Sequence, residues 1–94
     1  MSPEITTLQE TQSAQQGMIA VLFEKDQRGV RPALMNVSKE YQEIIRTSFN
    51  AQMTGNLGLE IILVRGDGAR IKALEQQLMA KRGIRSVRLT LIPF

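Results

Sequence analysis

The distribution of apolar residues divides the chain near residue 17. Residues 1–16 (MSPEITTLQETQSAQQ) are rich in Gln, Thr and Ser and show no sustained apolar period, so they are expected to form a flexible tail ahead of a domain spanning residues 17–94. From Gly17 the pattern becomes a continuous apolar run, MIAVLFE, of strand length. Such a run predicts a central strand covered on both faces. KDQRG breaks it. Val30, Leu34, Val37, Tyr41, Ile44 and Ile45 then recur at spacings of three and four, which describes one face of a helix. Pro32 falls in its first turn, where a missing N–H costs nothing. On the polar side, Lys39 and Glu43 are spaced for an i,i+4 pair on a solvated helix face. RTSFNAQMT has β-branched and aromatic residues and runs into TGNLG, whose glycines and Asn56 are hairpin chemistry. LEIILVR reads as the returning strand, and RGDGA closes it with Asp67 as an N-cap.

Ile71, Leu74, Leu78 and Met79 form the stripe of a second helix. Lys81 and Arg82 are expected in its last turn, with Gly83 ending it. In IRSVRLTLIPF, Val87, Leu89 and Leu91 alternate with Arg88 and Thr90, as a half-buried strand requires. The order is therefore βαββαβ, an α+β fold of the ferredoxin-like type. It has a four-stranded antiparallel sheet with two helices on one face. Helices on one side leave the other face of the apolar first and third strands open. Copies of the chain associating through the sheet would cover that face.

Composition narrows the chemistry. Ninety-four residues make one core, and four aromatic residues in an apolar share of 43% make that core aliphatic. The absence of cysteine and histidine removes disulfides, thiolate ligands, the commonest metal ligand and the commonest general base. Scattered carboxylates (Glu24, Asp26, Glu60, Asp67) without a nucleophile do not build an active site, so the chain is read as a non-enzyme without a cofactor. No apolar run approaches the roughly 20 residues of a membrane span, and no signal peptide is recognisable, which makes the cytoplasm the default location. The net charge of +3, with Lys81, Arg82, Arg85 and Arg88 gathered late and Arg28 and Arg31 in a loop, is too modest and too interspersed with acids to favour direct nucleic-acid binding.

The stretch from Gly17 to Pro93 resembles the C-terminal regulatory domain of nickel-responsive regulators of the NikR type, a relative of ACT domains. The densest similarity lies in LEIILVRGD and IKALEQQLMAKRGIRSVRLTLIP, where strand, Gly-Asp turn, helix, RG stop and last strand fall in register. KDQRGVRPAL is also similar to the ACT loop in which a glycine before an apolar residue lets the backbone approach an effector. Gly29 and Val30 occupy that place. The resemblance implies a regulatory domain that self-associates through its sheet, as a dimer or tetramer, and holds a small-molecule effector. It also implies two histidines one residue apart on the second strand, a cysteine before the third and a histidine from a neighbouring subunit, all as nickel ligands. Here Asn50, Gln52 and Gly58 fall at the first three positions, and amides are poor substitutes for imidazole and thiolate. No metal site is expected. The DNA-reading ribbon-helix-helix unit of such regulators does not fit within residues 1–16.

Gly29, Val30, Asn50 and Gln52 are thus the candidate ligand-binding residues. Asn50 and Gln52 share a side of their strand and could give amide hydrogen bonds to an effector. Plainer readings stand beside this one: polar alternation on a half-exposed strand, and a glycine serving only as a turn residue. A protein-interaction or assembly module with no small ligand is the alternative function.

Overall fold

In the computed structural model, which describes residues 14–93, the central strand β1 (Ala14–Glu24) alternates sharply. Ile19, Val21 and Phe23 are buried, while Met18, Ala20 and Leu22 between them are only half-covered. The remaining elements are α1 (Val30–Glu40), β2 (Ile45–Gln52), β3 (Leu57–Asp67), α2 (Gly68–Met79) and β4 (Ile84–Ile92). The sheet order is β2-β3-β1-β4, and every pairing is antiparallel. This is the expected βαββαβ architecture.

The core lies between the sheet and the helices. Ile19, Val21 and Phe23 of β1 and Ile62 and Val64 of β3 meet Val30, Leu34 and Val37 of α1 and Ile71, Leu74 and Leu78 of α2. Tyr41 and Ile44 complete it from the turn after α1. No polar side chain is buried among the described residues, so hydrophobic burial and the backbone ladders carry the fold.

Local chemistry sets the ends of the elements. Gly29 adopts φ 84° at the start of α1, a left-handed geometry that L side chains rarely tolerate. The Asp67 carboxylate accepts a hydrogen bond from the Ala69 N–H at 3.3 Å, capping α2 as anticipated. At the other end of α2 the helix stops at Met79, and Lys81 and Arg82 lie beyond it rather than in its last turn. Gly83 then reverses the chain with φ 92°.

Two other boundaries differ from the pattern. β1 starts at Ala14, so Ala14, Gln15 and Gln16 belong to the sheet, pairing with Asp67, Gly66 and Arg65. The earlier part of the proposed tail lies outside the described residues. Helix α1 ends at Glu40, because Tyr41 leaves helical geometry and successive short turn bonds (Ile44 N–H to Tyr41 O, 3.0 Å; Ile45 N–H to Gln42 O, 3.3 Å) follow. Tyr41 and Ile44 keep their helical spacing in sequence yet reach the core from that turn. Glu43 therefore does not pair with Lys39. It accepts from Arg70 Nε of α2 at 2.8 Å, while Arg70 also donates to the Glu40 carbonyl at 3.1 Å and lies 4.1 Å over the Tyr41 ring. That cluster ties α2 to the end of α1.

The outer face of the sheet carries Met18, Ala20 and Leu22 of β1, Leu59, Ile61 and Leu63 of β3, and Phe49 of β2, the last 54% exposed. No described element covers it, in contrast to the two-sided covering expected of the first strand. Truncating Leu74, fully buried on the inner face of α2, should cost about 2–5 kcal/mol as Leu74→Ala. Met79→Ala at a 60% exposed position should change stability by no more than about 0.5 kcal/mol. Urea denaturation of the two variants measures the difference.

Candidate ligand-binding site

The end of the sheet where β1 stops and β3 begins gathers the candidate residues. Two connections are fastened together there. The side chain of Asn56, in the β2–β3 turn, accepts from the Asp26 backbone N–H at 3.0 Å and donates to the Asp26 carboxylate, while the Asn56 carbonyl accepts from the Lys25 N–H at 2.8 Å. The loop leading to Gly29 is thereby clipped to the hairpin that ends β2. On its other flank, Glu24 N–H donates to the Gly83 carbonyl at 2.8 Å. Gly29 has open space where a side chain would project: nothing lies within 4 Å of a Cβ built there. Val30 is different. Its side chain is buried in the core, and its N–H already donates to the Gln27 carbonyl at 3.2 Å, so it does not face a ligand.

Asn50 and Gln52 are exposed and stand on the helix side of edge strand β2, opposite Glu60 and Gly58 of β3. Period-two geometry puts them on one face, as the sequence implied. They share an end of the sheet with the Gly29 loop.

Three residues that the sequence did not mark for ligand binding complete the candidate site. Phe23 lies opposite Gly58 on β1, and its ring leans over the glycine: a Cβ on residue 58 would sit 2.5 Å from Phe23 Cζ and 2.8 Å from Cε2. The Arg31 guanidinium lies 5.8 Å from the centre of that ring. Glu60, between Val21 and Asn50 across the strands, is a half-buried carboxylate. Burial pushes its pKa up, and the positive charge of Arg31 opposes the rise only in part. No hydrogen bond or ion pair within 4 Å holds Glu60 among the described residues. The pattern offered one clue, a lone acidic residue in the apolar run LEIILV, but the cross-strand register that gives it neighbours is not local information.

The raised pKa makes Glu60 a pH-dependent liability. The folded state holds its proton more tightly than the unfolded chain, so stability falls as pH rises from the ordinary 4.5 through the raised folded value. Glu60→Gln should therefore raise the thermal midpoint at pH 7, and the gain should shrink towards zero at about pH 4, where both states are largely protonated. Parallel melts at the two pH values check the sign.

Comparison with known proteins places this geometry in a family. Residues 16–92 match the family described as NikR C terminal nickel binding domain. A protein of Methanothermobacter thermautotrophicus described as a nickel-responsive regulator is 36% identical over 79% of this chain and 53% of its own length. One of Methanocella arvoryzae with a similar description is 28% identical over 90% of this chain and 61% of its own. The chain thus spans a little over half the length of these relatives. Among solved structures, an uncharacterized protein of Thermotoga maritima superimposes with a TM-score of 0.77 at 15% identity, covering 85% of this chain and 99% of its own. The ACT domain of GTP pyrophosphokinase from Chlorobium tepidum does so with 0.67 at 17% identity, over 82% and 99% respectively. At such identities the likeness establishes the fold alone, which is ACT-like. The sequence matches establish more: the chain belongs to the NikR C-terminal domain family and is a regulatory domain of that type.

Proposed function

We propose that this regulatory domain works as a self-associating, non-catalytic sensor of a small organic ligand, without a nickel site. The observation that carries the reading is the end of the sheet around Asp26 and Asn56, where the open backbone at Gly29 is clipped to the strand bearing Asn50 and Gln52. A ligand there meets the exposed Gly29 on one side and amides on the other, groups suited to a polar organic molecule.

The residues do not fit nickel. Asn50 and Gln52 offer neutral amides, and Gly58 offers no donor, whereas divalent first-row metals are held by imidazole and thiolate in sensor sites. Among the described residues no three His, Cys, Asp or Glu side chains converge. Calorimetric titration of the tag-free protein with nickel should accordingly give no stoichiometric submicromolar uptake.

Self-association through the sheet follows from the outer face. Met18, Leu22, Leu59, Ile61, Leu63 and Phe49 form a contiguous apolar surface, and a second copy offers a matching one. Among the described residues no helix is long and apolar enough to cross a membrane, and the regulator relatives support a cytoplasmic setting. The second reading, an assembly module with no small ligand, draws on that same apolar face.

Light scattering should give an oligomer at tens of micromolar, and Leu63→Glu should shift it towards monomer by placing a charge in the interface. Native mass spectrometry reads oligomer mass and bound small molecules together. Gly29→Val should fold and assemble at a cost of roughly 1 kcal/mol or more from its positive φ but lose the ligand. A wild-type protein that carries no ligand through broad metabolite screening decides for the assembly module.

A further inference from the structure

We infer that Phe23 closes the metal position of this domain sterically, so that restoring the missing donors would not by itself restore metal binding. The inference rests on reading Asn50, Gln52 and Gly58 as the counterparts of the family's metal ligands.

The register makes the argument. Gly58 lies between Gln52 on one side and Phe23 on the other, all on the helix side of the sheet. The three distal ring carbons of Phe23 come within 2.5–3.0 Å of where a Cβ on residue 58 would be. Real Cβ atoms do not tolerate such distances, so any side chain at 58 must push the ring aside or be pushed aside itself. The ring has little room to yield. It is 1% exposed in the core, and its residue is fixed at the point where β1 shifts register against β4, between Leu22 and Phe23. Arg31 stands over the ring. A divalent cation bound above Gly58 would meet both an apolar ring where its thiolate should be and a guanidinium nearby, which repels it. Loss of the donors and the inward ring are therefore two separate barriers. Gly58 and Phe23 act as a coupled pair, the glycine leaving the space that the ring fills.

Two experiments test this, and they fail differently. The first measures stability alone. Gly58→Ala should lower the denaturation midpoint of the wild-type protein, and the loss should be clearly smaller in a Phe23→Leu background, whose shorter side chain frees the space. Equal losses in both backgrounds overturn the steric coupling, whatever the metal does. The second titrates nickel(II), and cobalt(II) as a spectroscopic probe of thiolate ligation, into two folded variants. One carries Asn50→His, Gln52→His and Gly58→Cys; the other adds Phe23→Leu. The fourfold variant should bind more tightly by roughly tenfold or more, the scale on which groups packed around metal ligands act, and should show cobalt–thiolate absorption that the threefold variant lacks. Equal binding by the two overturns the role of Phe23 while upholding the assignment of the positions. Binding by neither overturns the inference.

Discussion

One-sided covering of the sheet governs this molecule. Both helices lie over the same face, so β1, paired on both edges, must send Ile19, Val21 and Phe23 into a dry core and Met18, Ala20 and Leu22 the opposite way. Nothing in an 11-residue helix and a 12-residue helix can reach round to the far side. The apolar character of the outer face is thus a property of the topology and of the residues chosen for two adjacent strands. The core itself needs no buried polar network, because among the described residues the buried side chains are hydrophobic, Tyr41 included.

Much of this was legible in the chain because it is encoded locally. The order of elements follows from the change between continuous, 3.6-residue and alternating apolar patterns. The glycines at 29 and 83 and the aspartate at 67 mark helix ends by stereochemistry and hydrogen bonding that involve only near neighbours. What escaped was non-local. Ala14, Gln15 and Gln16 are polar or small, and only their pairing with Asp67, Gly66 and Arg65 makes them a strand. Tyr41 and Ile44 obey helical spacing after the helix has ended. Glu43 finds Arg70, far along the chain, in preference to the lysine one turn before it.

The candidate site divides in the same way. Asn50 and Gln52 could be assigned to one side of β2 from their spacing alone, and Gly29 to a strained turn from its neighbours. Val30 was placed beside a ligand by resemblance, yet its side chain belongs to the core. Phe23, Arg31 and Glu60 enter the site only through cross-strand register and the approach of α1 to the sheet, neither of which a linear pattern contains. Glu60 illustrates the energetic side. A carboxylate set among Val21, Asn50 and a guanidinium that does not touch it is a place where stability has been given up.

The sheet also ends in two edges, β2 and β4, whose outward N–H and C=O groups have no strand beside them among the described residues. An edge of this kind is a template for lateral growth, and crowded copies could extend it into a fibre-like ribbon. β4 carries its own guard against the symmetric version of that event. Arg88 is the middle residue of Ile84–Ile92, so two β4 strands aligned antiparallel about their centres would set one guanidinium directly against the other. Like charges facing each other across strands oppose such pairing. The basic residue that looked like part of a diffuse charge excess in the sequence thus sits where it does most to keep one sheet from fusing edgewise with the next.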